Sequence, residues 1–447
     1  VNSFGLKIIG LFIGITAYSI SFAQSDSAFT INLEKYWNYR HNLTTNFMKV
    51  GIGQGMSLPA SNYNPQYDCL GYYDCPRGEG MGLMNWGDAT INLGEYISVL
   101  VSEYVLLEKH QQNTEQTLYE LYCAMLAIDR LDRFAETTFG FENSAENLNG
   151  FYLRDDVTDS MLVKINNGAS CLKSDYKCFS GGNYMSHDQL LGIMLGLLSI
   201  TELLDEGVAY KDYRFNKEAK IMADRMINYV RNKSWELEVP GGSKVSRGHE
   251  IKWAAYPFAK MAQRITGKKY KDVWTQTIAQ SLWKFGQYPF IAGHNFTFYN
   301  PSKKGPDELV YNDVNSALFL RMAVLSDGWR PKKIAANSID AAMELNILQD
   351  EVFNKRDHGV PATYYEVILN DAPMDGLKFY FHEENVSEQW NSTDRWGHPR
   401  FRKTGTRHGG QQGHYVGLDY MMLFNFYCLA FPENVVTYQK NESQKLP

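Results

Sequence analysis

Apolar residues recur at helical spacing from Ile31 to the end of the chain, and no run shows the alternation of a half-buried strand. Two kinds of helix are predicted. One kind is apolar nearly all round and comprises Ile91–Leu107, Leu190–Leu204, Glu250–Ile265, Tyr311–Leu325 and Tyr415–Ala430. A helix apolar on every face must be covered on every face. In the second of these, Gly192 and Gly196 leave room for a neighbour's backbone. The other kind carries one apolar stripe with charges opposite. Thr114–Ala135 places Leu118, Leu121, Tyr122, Met125, Ile128 and Leu131 on that stripe, and Lys217–Val230, Lys271–Phe285 and Pro331–Leu348 behave likewise. These belong outside, with one face in water. The two kinds alternate along the chain, and a segment around Leu33–Val50 adds a further helix at the start.

The connections are asymmetric. From a buried helix to the next amphipathic one they are short: His110–Asn113, Asp205–Asn216, Thr266–Tyr270 and Ser326–Arg330. In the other direction they are long: Glu136–Gln189, Arg231–His249, Gly286–Val310 and Gln349–His414. Short connections make antiparallel hairpins. Stacked hairpins with an inner and an outer helix close into a ring, and the long loops then emerge at one end. From Leu33 to Ala430 this order resembles the α/α-toroid, or six-hairpin, class of carbohydrate-active enzymes, which includes many glycoside hydrolases and several polysaccharide lyases. The likeness is one of architecture. It implies an all-α toroid of inner and outer helices, and it carries over no catalytic residue because no family motif matches residue by residue. Terpene cyclases, prenyltransferase-like rings and helical solenoids share the alternation. Export argues against the first two, and the lack of a repeat of constant period argues against the third.

Export is expected from residues 1–23. Lys7 is the only charged side chain before Asp26, an apolar run spans Ile8 to Ile20, and Ser21-Phe22-Ala23 offers a cleavage site before Gln24. The run is shorter than a spanning helix needs. Residues 24–447 then form one domain, secreted or periplasmic, without a membrane anchor after cleavage. The formal net charge is −6, which loss of Lys7 makes −7, and no basic run suggests a nucleic-acid partner. Cys69 with Cys75, and Cys171 with Cys178, lie close enough in sequence to close two local disulfides, with a four-cysteine zinc site as the alternative. Cys123 and Cys428 fall in apolar helical runs and read as core thiols. No metal-ligand spacing on one helix and no phosphate loop occurs, so no cofactor or metal is expected; a metal assembled from separate loops, including His358, His382 and His398, is the alternative.

Polar residues gather before the buried helices. These are Asn85-Trp86-Gly87-Asp88, Tyr184-Met185-Ser186-His187-Asp188-Gln189, Ser246-Arg247-Gly248-His249-Glu250, Asp307-Glu308 then Tyr311-Asn312-Asp313, and Arg407-His408 through His414-Tyr415. On a toroid they converge at one mouth. Ser186 and Gln189 also satisfy the pattern of a capping box, and a first-turn carboxylate complements the helix dipole. Leu153-Arg154-Asp155-Asp156 reads as a solvated turn, a fixed ion-pair cluster or part of an active site.

Three functions fit. In a glycoside hydrolase two carboxyl groups act, one protonated and one ionised. Asp188 suits the ionised role, while Glu250, Asp313 and Asp156 are candidates for the acid. His187, His249 and His414 complete the catalytic candidates, and Trp86, Asp88, Trp253, Arg407, His408 and Tyr415 are candidates for binding an oligo- or polysaccharide. A polysaccharide lyase would neutralise a uronate with Arg and take a proton with His or Tyr. A non-catalytic glycan-binding protein of the cell envelope would use the aromatics alone.

Overall fold

The computed structural model describes residues 29–69, 80–138, 148–165, 168–178, 183–238, 255–270, 414–430, 432, 435 and 437–439. The helices expected at Lys271–Phe285, Tyr311–Leu325 and Pro331–Leu348 lie outside these residues. About 59% of the described residues are helical, so the chain is mostly α. Helix α1 covers residues 29–42 and runs into a π turn, Leu43–Phe47. It is followed by α2 (Ala89–Lys109), α3 (Glu115–Thr138), the short α4 (Ser160–Ile165) and α5 (Asp175–Cys178), then α6 (His187–Leu203), α7 (Phe215–Asn232), α8 (Ala255–Thr266) and α9 (Leu418–Ala430).

The buried and amphipathic kinds are distinct in three dimensions. Nearly every residue of α2 is buried, polar ones included, whereas α7 buries Phe215, Ala219, Met222, Ala223, Met226, Ile227 and Val230 along one stripe. On α3 the stripe is Leu121, Met125, Ile128 and Leu131, with Leu118 and Tyr122 half-buried at its margin. Helix α8 departs from the all-round apolar pattern. Phe258, Ala259, Met261, Ala262 and Ile265 are buried, but Arg264 reaches out to Glu202 of α6. Cys123 and Cys428 are buried free thiols.

Helices α9, α2, α6 and α8 stand side by side in that order, each packed on the next. Helix α3 packs on α2, and α7 packs on α6 and α8. At the α2–α6 contact the backbones themselves touch. A Cβ added to Gly94 would fall 1.9 Å from the carbonyl oxygen of Gly192, and one on Gly196 would fall 2.8 Å from the oxygen of Gly94. About one turn along, Ser98 Oγ and Ser199 Oγ lie 2.9 Å apart. Ile91 meets Gly192, Gly94 meets Gly196 and Ser98 meets Ser199, so the two helices run in parallel and start at the same end. The Glu202–Arg264 pair joins the last turns of α6 and α8 and sets α8 in the same direction.

A small sheet, unexpected from the sequence, lies where these helices begin. Its strands are β1 (Asn62–Asp68), β2 (Met81–Asn85), β3 (Cys171–Lys173) and β6 (His414–Tyr415), in the order β3-β2-β1-β6; β4 (Ala209–Tyr210) and β5 (Tyr213–Arg214) form a separate hairpin before α7. Strands of two or three residues leave no period to detect, and β1 is polar with Pro65 at an irregularity of its pairing, where a missing N–H is tolerated. β2 leads into α2 and β6 into α9.

Toward the C-terminal half of α2, charge is buried in a closed network. Arg40 of α1 binds Glu103 through Nε at 2.7 Å and Glu120 of α3 through Nη2 at 3.0 Å. Tyr36 and Thr117 donate to Glu103, and Tyr96 donates to Glu120. Burial pushes the Glu103 carboxyl up, but Arg40 and these donors outweigh it and hold it below its usual range. Asn425 of α9 joins the network through Tyr36, Ser102 and Tyr438.

The helix contact gives a direct test. Gly94→Ala must displace α6 backbone and should cost about 1–3 kcal/mol or more in urea unfolding. Gly207→Ala, with nothing within 4 Å of the added carbon, should stay within about 0.5 kcal/mol of wild type. Equal effects at the two positions would refute the backbone contact.

Candidate functional site

The sheet register lines up the approaches to three elements. Tyr415 pairs with Asn62, Asn62 with Asn85, and Asn85 with Lys173, so the residues just before α9, α2 and α5 stand in one row. Trp86 extends this row, its N–H donating to the Lys173 carbonyl at 2.8 Å. Asp88 precedes α2 as its N-cap residue without a capping side-chain bond. Gly87 lets Lys173 lie against the turn, since a Cβ there would sit 2.9 Å from Lys173 Nζ.

Around this corner the chain gathers acidic and basic groups. Arg154 donates from Nη1 to Asp175 Oδ2 at 3.3 Å, from Nη2 to Ser186 Oγ at 3.0 Å and from Nε to the Tyr184 carbonyl at 3.2 Å. Asp155, fully buried, accepts from Ser174 Oγ and from the backbone N–H of Asp175 at 2.8 Å and of Val157 at 3.0 Å. Burial and the Asp175 carboxylate push Asp155 up to about 7 against those donors. Asp175 is part-exposed. Its carboxyl is raised by burial and by Asp88, against the lowering pull of Arg154 and Lys173.

Several expectations need correction. Trp86 is fully buried with its indole N–H on the Leu58 carbonyl at 3.0 Å, so neither ring face is open to a sugar. Asp156 is fully buried, bound by Arg130 Nε at 2.7 Å and by the Gly55 N–H at 3.1 Å. The same guanidinium holds the carbonyls of Ile52 and Met56, so Asp156 anchors the glycine-rich loop of residues 51–57 and is not placed to meet a substrate. Ser186 is the N-cap residue of α6 in extended conformation, but its side chain makes no capping bond; its hydroxyl accepts from Arg154 instead. The cysteine pairing also differs. Cys69 is bonded to Cys171 across 102 positions, joining the end of β1 to β3. Local pairing with Cys75 and Cys178 is therefore wrong for both cysteines. Gly417, just before α9, has φ +83°, and a Cβ there would meet the Tyr39 ring at 2.4 Å.

The other candidates divide by position. His187 and Asp188 open α6, directly after the Arg154-bound Ser186, and His414 and Tyr415 form β6, directly before α9; their side chains lie outside the description. Glu250, Asp313, His249, Trp253, Arg407, His408 and Cys75 lie outside the described residues altogether. Lys173 and Asp175 were missed by sequence reasoning. The segment Cys171–Cys178 looked like a disulfide loop, and a first-turn acid in a four-residue helix leaves no periodic signal. Among the described residues, no group of three or more His, Cys, Asp or Glu is arranged to hold a metal ion, and no helix is long and apolar enough to cross a membrane.

Comparison with protein-family models, with curated proteins and with solved structures finds no match for this chain.

Two measurements check the chemistry of this corner. Peptide mapping without reduction should yield a linked pair containing Cys69 and Cys171, and a Cys69–Cys75 peptide would contradict the fold. The second concerns pH. Asp155 holds its proton more tightly folded, at about 7, than unfolded, near 3.9. Its share of stability is full below the unfolded value and is lost as pH rises through the folded one. Asp155→Asn should therefore gain in urea midpoint relative to wild type between pH 5 and 8; a constant gap would show that the group does not titrate there.

Proposed function

We propose that this chain is a secreted carbohydrate-active enzyme of the α/α-toroid kind, and that it is a glycoside hydrolase. The observation that carries the proposal is Asp175, a part-exposed carboxyl with raised proton affinity beside Asp88, Arg154 and Lys173, where α2 and α6 both begin. Glycoside hydrolysis needs a carboxyl that stays protonated near neutral pH, together with an ionised partner. Asp175 is assigned the acid role, giving its proton to the leaving oxygen as the glycosidic C–O bond breaks. Asp188, in the first turn of α6 where the helix dipole favours its anion, supplies the second and activates water or attacks the sugar carbon. The parallel row α9-α2-α6-α8 with α3 and α7 packed outside it supports the toroid. The Cys69–Cys171 disulfide supports export to an oxidising compartment.

The test is incubation with a panel of glycans, with products identified by mass spectrometry and ultraviolet absorbance. Hydrolysis adds water and leaves no unsaturated sugar. Asp175→Asn and Asp188→Asn, each folded by circular dichroism, should lose at least about two orders of magnitude in rate. Rising ultraviolet absorbance would assign a lyase, and binding without products a glycan-binding protein. Full activity of folded Asp175→Asn would remove it from the mechanism.

A further inference from the structure

Arg154 holds two separate pieces of chain at three points with one side chain. It meets Asp175 in α5, the Tyr184 carbonyl, and Ser186, the residue immediately before α6. Its own backbone is held in place. Leu153 and Asp155 on either side are fully buried. Asn183 Oδ1 accepts from the N–H of Arg154 at 3.2 Å and of Asp155 at 3.4 Å, while its Nδ2 donates to the Asp155 carbonyl at 3.3 Å. The guanidinium thus projects from a fixed base. Helix α5 is a single turn, too short to be stable alone, and the start of α6 lacks a side-chain cap because the Ser186 hydroxyl is turned to Arg154.

We infer that Arg154 is a positioning residue whose planar fork holds Asp175 and the first turn of α6 in one fixed relation. The inference deepens the glycosidase proposal and rests on it for turnover. In that chemistry the separation of two carboxyl groups decides whether water fits between them, and Arg154 bridges Asp175 to the segment that leads into α6. Lysine cannot replace it, because a compact ammonium lacks the fork that reaches three acceptors. Arg154 also acts on Asp175 by charge. The groups facing Asp175 are Arg154 and Asp155 from the loop, Lys173 from β3 and Asp88 from the approach to α2. Loss of the Arg154 cation therefore raises the proton affinity of Asp175.

The test compares full-length wild type with Arg154→Met, Arg154→Lys and Ser186→Ala, each checked for folding. The first readout is the carboxyl NMR titration of aspartate-labelled protein, with Asp175 assigned through Asp175→Asn. Arg154→Met should move that titration up by about one pH unit or more, and Arg154→Lys by less. The second readout is kinetics on a glycan the wild type cleaves. Arg154→Met should lower kcat at least about tenfold and shift the alkaline limb of the rate profile upward with Asp175. Arg154→Lys should restore the limb but not kcat, and Ser186→Ala should lower kcat without moving the limb. An unmoved Asp175 titration in Arg154→Met, or wild-type kcat in Arg154→Lys, overturns the inference. If Arg154→Met fails to fold, the lysine and Ser186→Ala variants decide by the same kinetic outcomes. If wild type cleaves no glycan, the glycosidase proposal fails, and the Asp175 titration still decides the role of Arg154.

Discussion

The contact between α2 and α6 constrains everything around it. Gly94 against Gly192 and Gly196 brings two helix backbones together with no side chain between them. At that separation each helix can slide or rotate very little before backbone meets backbone. The parallel arrangement follows, and with it the placement of Asp88 and Ser186 at the same end. Ile91 packs onto Gly192, and Ser98 and Ser199 continue the seam with a hydroxyl pair. Interiors packed this closely transmit a displacement instead of absorbing it, so the geometry at the start of α6 is tied to the middle of α2.

Charge is handled differently in three places. Arg40 with Glu103 and Glu120 is sealed among α1, α2, α3 and α9, where two carboxylates face one guanidinium and tyrosine hydroxyls donate to both carboxylates. A hydrophobic group of the same shape could serve stability as well; here the charged partners link α1, α2 and α3 directly. Arg130 and Asp156 fasten a glycine-rich loop. At the start of α6, Arg154 and Asp175 are instead part-exposed. A carboxyl there keeps contact with solvent while its neighbours alter its proton affinity, a combination the sealed clusters lack.

The disulfide serves this last corner. β3 has three residues and lies at the edge of the sheet, yet it carries the chain directly to Ser174 and Asp175. Bonding Cys171 to Cys69 ties that strand to the end of β1. Through β1 the same sheet holds β6 and the approach to α9. Covalent and hydrogen-bonded restraint thus converge on Asp175, which the glycosidase proposal uses.

What the sequence determined by itself was the set of helices and their kind. Spacing of 3.6 residues is local, so α2, α3, α6, α7 and α9 were legible in their apolar positions, and Gly192 and Gly196 announced a close neighbour without naming Gly94. Only the tertiary structure decided which residues meet. Cys171 bonds Cys69 because β2 brings β3 to the end of β1, which no spacing along the chain reveals. Trp86 and Asp156 resemble functional residues in sequence, and it is their complete burial that removes them from solvent. Asp175 carries no periodic signal, and its acidity depends on its burial and on Arg154 and Asp88 arriving from other segments. Helical pattern is written in neighbours along the chain, whereas burial, pairing and proton affinity depend on neighbours in space.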